Sequence, residues 1–163
     1  MTKSSFSESL MSMSDEVWER HANPWSGWSR ISIPPLFVAA VWSREWIGWW
    51  SLALIALVCI WTWWNPRAFR KSDNLDNWMS KGVFGERVWI ARKADPVPEH
   101  HRRMPHILAV VSGLGLLPLG WGLWVLDPWP VLAGMILVMG GKLWFLDRMV
   151  WLFEDTGGLK AKH

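Results

Sequence analysis

The sequence predicts an all-α membrane protein: four transmembrane helices arranged as two hairpins, with an interfacial helix before the first and a helical cytoplasmic loop between the pairs. Three observations carry that expectation. Four apolar runs are each bounded by polar residues, at about 28–42, 46–64, 107–126 and 129–145. The segment between the second and third runs, 65–105, holds nine bases (Arg67, Arg70, Lys71, Lys81, Arg87, Arg92, Lys93, Arg102 and Arg103) against five acids. Seventeen tryptophans and no tyrosine occur in 163 residues, and many of those indoles stand where an apolar run ends. An indole has an apolar body and one N–H, so it favours the wet boundary of a bilayer. Trp42, Trp46, Trp61, Trp63, Trp64, Trp124 and Trp129 are the expected membrane-interface anchors. Trp49, Trp50 and Trp121 fall inside the proposed spans and fit no such pattern.

The strongest span is Trp46–Trp64, which contains no charge and makes about 28 Å of helix at about 1.5 Å per residue. Ile107–Leu126 is also uncharged, and Pro118 in its interior removes a backbone donor, so a kink is expected there. Ile31–Trp42 is short for a hydrocarbon core of about 30 Å. Starting it at Trp28, with Arg30 reaching back to the headgroups, lengthens it; a re-entrant segment is the rival. Trp129–Phe145 contains Lys142 one turn from its end, placed to snorkel, with an intramembrane functional charge as the rival.

Four spans put both termini and the 65–105 loop on one side, and the basic excess of that loop selects the cytoplasm. The chain reads as one integral-membrane domain, 1–163, in the cytoplasmic (inner) membrane. No apolar core interrupts the first thirty residues, so no cleavable signal is expected. Cys59 lies in an apolar run and reads as a small hydrophobe. Lipid removes the hydrophobic drive between helices, so packing must come from small residues. Ala109, Gly113, Gly120 and Gly122 in the third span, with Gly134, Gly140 and Gly141 in the fourth, are the expected seam within the chain, a homodimer seam being the rival.

Among the polar segments, Ser14-Asp15-Glu16 opens a short helix to about His21, with Leu10, Met13 and Val17 on one face. Its acidic residues suit docking on the basic loop. Asn23-Pro24 is a helix-start signal, and Asn65-Pro66 repeats it after the second span. Asp73-Asn74-Leu75-Asp76-Asn77-Trp78 opens a capped helix in the loop, whose Trp78, Val83, Phe84, Trp89 and Ile90 suggest that it lies along the membrane face. Asp95-Pro96-Val97-Pro98 reads as an extended hinge, and His100-His101-Arg102-Arg103 as a solvated basic stop.

The run His21-Ala22-Asn23-Pro24-Trp25-Ser26, continued by Trp28 and Arg30, stands with Asn65-Pro66-Arg67, Asp76-Asn77-Trp78 and Gly85-Glu86-Arg87. Together these resemble an uncharacterised family of small prokaryotic multi-pass membrane proteins, a domain of unknown function. The resemblance rests on the first half of the chain. It implies the topology and brings no activity.

Candidate ligand-binding residues are His21, Asn23, Arg30, Asp76, Asn77, Glu86 and Arg87, all expected near one interface. A His with two carboxylates suits acid–base work, and the arginines suit a phosphate or lipid headgroup. There is no His-x-x-x-His, no His-Glu-x-x-His and no cysteine pair, so neither a metal nor a cofactor is expected. No histidine lies deep in a span, which disfavours haem b, and no acid does, which disfavours proton-coupled transport. The favoured reading is a non-catalytic membrane scaffold, partner subunit or lipid-binding module. The alternative is an interfacial enzyme or ligand-binding protein using His21, Asp76, Glu86 and Arg87. Expected partners are membrane lipids, a membrane protein or a second copy, and nucleic acid is excluded.

Overall fold

Two helical hairpins stand side by side, and a polar cap covers one end of the pair. The computed structural model describes residues 15–93 and 96–157. Among them there are nine α-helices and no strand. They are α1 (Asp15–His21), α2 (Pro24–Ile31), α3 (Ile33–Trp42), α4 (Arg44–Ile47), α5 (Ser51–Ala68), α6 (Trp78–Ala91), α7 (Arg103–Leu114), α8 (Leu116–Val125) and α9 (Pro128–Asp155). Short 3-10 turns at Gly48–Trp50 and Glu99–His101 link α4 to α5 and lead into α7. Three stretches, Pro24–Ala68, Glu99–Val125 and Pro128–Asp155, are long and apolar enough to cross a membrane.

The first stretch doubles back. Ser26 Oγ donates to Asn65 Oδ1 at 3.0 Å and Asn65 Nδ2 donates to Ser29 Oγ at 2.7 Å, so α2–α3 runs antiparallel to the whole of α5. The turn between them is wider than Ser43–Glu45, because Gly48 adopts φ +55° and the chain does not settle into α5 until Ser51. Trp49 and Trp50 therefore belong to the turn, where they are 87% and 77% exposed, and not to the interior of a span beginning at Trp46. Asn65-Pro66 is corrected too. It starts no helix: α5 continues through both residues to Ala68, and Asn65 is buried against α2.

In the second hairpin the apolar stretch Glu99–Val125 breaks at Gly115, between α7 and α8. Pro118 supplies no N–H for the Leu114 carbonyl, so the ladder fails one turn before the proline. That break meets α9 closely, since a Cβ on Gly115 would stand 2.7 Å from Leu137 Cβ. Gly122, Gly134 and Gly141 complete the seam, Gly141 facing Ser112. Gly113, Gly120 and Gly140 face open space, so only part of the expected small-residue face is used within the chain. The turn follows from Leu126, left-handed at φ 59°, and from Asp127, which accepts the Trp129 N–H at 3.0 Å to cap α9.

Arg44 joins the hairpins at this end, donating to the carbonyls of Leu123 (2.5 Å) and Trp124 (2.6 Å). A guanidinium there satisfies the unpaired carbonyls at the C-terminus of α8. Both turns thus share one end.

The other end is built on α9, which does not stop near Phe145 but runs 28 residues to Asp155, about 42 Å. Its extension carries Leu146, Met149, Val150, Leu152 and Phe153, all buried. Helix α6 packs on that stripe. Met79, Val83, Phe84 and Trp89 are buried as a result, so α6 rests on protein and not on the membrane face as its apolar residues suggest. Trp18 of α1 joins Val83, Phe84 and Phe153 in one cluster, and Lys71 pairs with Glu19 at 3.0 Å, which docks the acidic helix on the basic loop as its charge predicts. Leu10, Met13 and Ser14 lie outside the described residues.

Candidate functional site: a polar-walled cleft between the hairpins

A cavity of about 470 Å³ opens where α1, α2, α3, α6, α7 and α9 meet. Its polar wall holds His21, Arg30, Glu86, Ser112 and Lys142. Its remaining lining is largely apolar, with Ile31, Pro34, Val138, Met139 and Leu143. Local sequence sets each polar group in place. Asn23 caps α2 by accepting the Trp25 N–H at 2.8 Å, which fixes the helix that carries Arg30. Asn77 caps α6 by accepting the Ser80 N–H at 2.9 Å, which fixes the helix that carries Glu86. Ser80 Oγ then donates to the Ala22 carbonyl at 2.5 Å and ties α6 beside His21.

Arg30 donates from Nη1 to the His21 ring and from Nη2 to the His21 carbonyl, the latter at 3.5 Å. A guanidinium has no lone pair to offer, so the ring must accept, and His21 is neutral. Burial, then the charges of Arg30 and Lys142, push its pKa from 6.5 down to about 2. Lys142 Nζ bonds Glu86 Oε1 at 2.9 Å, crossing from α9 to α6. Instead of reaching for solvent alone, Lys142 has a carboxylate partner at the cleft. With His21 neutral, two cations face one carboxylate, and the wall is net positive.

Of the sequence candidates, the structure brings His21, Arg30 and Glu86 together and adds Lys142. Asn23 and Asn77 are helix caps, and Asn23 also donates to the Arg70 carbonyl at 2.9 Å. Asp76 sits at the surface with Lys81 at 2.8 Å, its side chain 75% exposed. The Arg87 guanidinium lies 5.8 Å from the Trp18 ring, away from the cleft. Ser112 escapes notice in the sequence because it reads as part of a span, whereas Lys142 reads there as a snorkelling residue with a functional charge as the rival. The signal was present in the lysine itself, an unneutralised charge at the end of an apolar run. A second hollow of about 370 Å³, framed by Trp25, Trp28, Trp78, Asn74 and Asn77, has no charged lining residue.

A family model described as a family of unknown function, DUF6653, matches residues 5–163. The chain belongs to this family. The DUF6653 match spans both hairpins and the cap, so it treats as one unit every segment that lines the cleft. No curated protein and no solved structure matches the chain.

Proposed function

We propose that this DUF6653 protein is a lipid-binding membrane module that takes the anionic headgroup of an amphiphile into the cleft between its hairpins. The observation that carries this reading is the cleft's division into a net-positive wall (Arg30 and Lys142 against Glu86) and an apolar lining suited to a chain. Ser112, whose hydroxyl donates to the Val138 carbonyl at 2.9 Å, adds an acceptor oxygen at the boundary.

The test is native mass spectrometry of the full chain in mild detergent, with phosphatidylglycerol and phosphatidylcholine added in turn. Preferential retention of the anionic lipid is expected, with Lys142→Gln weakening it about five-fold or more, the loss of one charge-assisted contact. Equal retention of both lipids, or an unchanged preference in Lys142→Gln and Arg30→Gln alike, would sink the proposal. A second reading follows from Glu86, a carboxylate in the cleft lining, which is the group there able to take a proton as a general base. Turnover of the retained lipid, lost in Glu86→Gln, would favour that interfacial enzyme.

Orientation belongs to the same reading. We place the cap and both termini in the cytoplasm, from the nine bases against five acids in 65–105. Reporter fusions at Glu99 and His163 are expected to report the cytoplasm, and one at Asp127 the opposite side. A cytoplasmic Asp127 would reverse the assignment.

A further inference from the structure

We propose that His100, His101 and Asp155 form a binding site for a divalent transition-metal ion of the zinc type, on the outer edge of the cap and apart from the cleft. The ligand atoms already converge. Asp155 Oδ2 lies 3.1 Å from His100 Nε2 and 2.8 Å from His101 Nε2, although the two histidines are adjacent in sequence. Consecutive side chains ordinarily diverge; here the 3-10 turn Glu99–His101 brings the rings to 4.2 Å between centroids. All three ligand atoms lie within 4.8 Å of one another. Ligands about 2.0–2.1 Å from a tetrahedral zinc stand about 3.3 Å apart, so a cation needs small side-chain shifts only.

The donor set fixes the class of ion. Two imidazoles and one carboxylate suit zinc, copper or nickel, whereas magnesium and calcium prefer all-oxygen shells. Access and rigidity are divided between the ligands. His101 is 5% exposed and anchored, while the side chains of His100 and Asp155 are 68% and 50% exposed and leave a path for the ion and a water as fourth ligand. The flanking cation Arg102 is turned aside, its Nε donating to the Val97 carbonyl at 3.3 Å. A bound ion would fasten the chain just before α7 to the last residue of α9, so both helices of the second hairpin would be clasped at the cap.

The experiment uses the full chain without a polyhistidine tag, stripped with chelator, in detergent. Calorimetric titration with zinc chloride is expected to give one site of micromolar affinity or tighter. Cobalt(II) should give the visible absorption of a four-coordinate site. His100→Gln, at an exposed position where folding is spared, and Asp155→Asn should each weaken zinc at least ten-fold and abolish any zinc-induced rise in melting temperature. His106→Gln and His163→Gln should change neither. Absence of binding at 100 μM zinc (about −5.5 kcal/mol at most), equal binding by His100→Gln and Asp155→Asn, or loss in His163→Gln would overturn the site. In the first case the three residues are a hydrogen-bonded clasp alone.

Discussion

Gly85→Ala is expected to undock the cap. A methyl group at Gly85 would collide with the Met149 carbonyl, backbone against backbone, in the tightest approach between α6 and α9. No rotamer change relieves such a clash, so the helices must separate and expose Met79, Val83 and Phe84. Overpacking commonly costs about 1–3 kcal/mol. The upper end or beyond is expected here, because the neighbour is a helix backbone. Fluorescence-detected size exclusion and a thermal melt would read it as lost monodisperse yield and a lowered melting temperature. Gly113→Ala is the matched control, since nothing stands within 4 Å of its added methyl. A Gly85→Ala protein that melts with the wild type would contradict the packing of α6 on α9.

Acid should open the cleft. His21 has its pKa lowered in the folded state, so the unfolded chain binds the extra proton first. Stability tied to His21 is therefore present above about pH 6.5 and declines as pH falls below it, continuing toward the folded value of about 2. The slope approaches about 1.4 kcal/mol per pH unit if the imidazole stays at 9% exposure beside Arg30. Melting curves between pH 7.5 and pH 4.5 would measure it, and His21→Gln isolates it. The glutamine offers an acceptor to Arg30 but does not titrate, so the variant should lose much less stability across that range. Parallel pH profiles for the two proteins would mean that His21 escapes to water when protonated.

The fold was legible where a local rule decides it. The turn at Asp127-Pro128, the Asn23 and Asn77 caps and the paired apolar runs each follow from a few adjacent residues. Asn65-Pro66 misled because the same dipeptide serves two purposes. A partner pair, buried Ser26 and half-buried Ser29, recruits Asn65 into α5, and those serines lie far away in sequence. The continuation of α9 past Phe145 is written as Leu146, Met149, Val150 and Phe153 at helical spacing, yet its meaning depends on α6 arriving to cover it. Site residues divide in the same way. His21, Arg30 and Glu86 could be named from their polarity near one interface, but the pairing of Lys142 with Glu86 needed the register between α6 and α9. Asp155 beside His101 was beyond reach, because 54 residues separate them and no motif spacing links them.

The cleft's walls have a consequence for biogenesis. Part of the lining comes from residues 21–34 and part from residues 138–146, so the site joins segments far apart along the chain. While the ribosome is still making the second hairpin, the first has no α9 to close against. Arg30 then has its own hairpin, α1 and α6 for company, and Glu86 lacks its lysine. The pocket is thus a product of late assembly, absent until α9 has been made, and it comes into being only as the bundle closes on that helix.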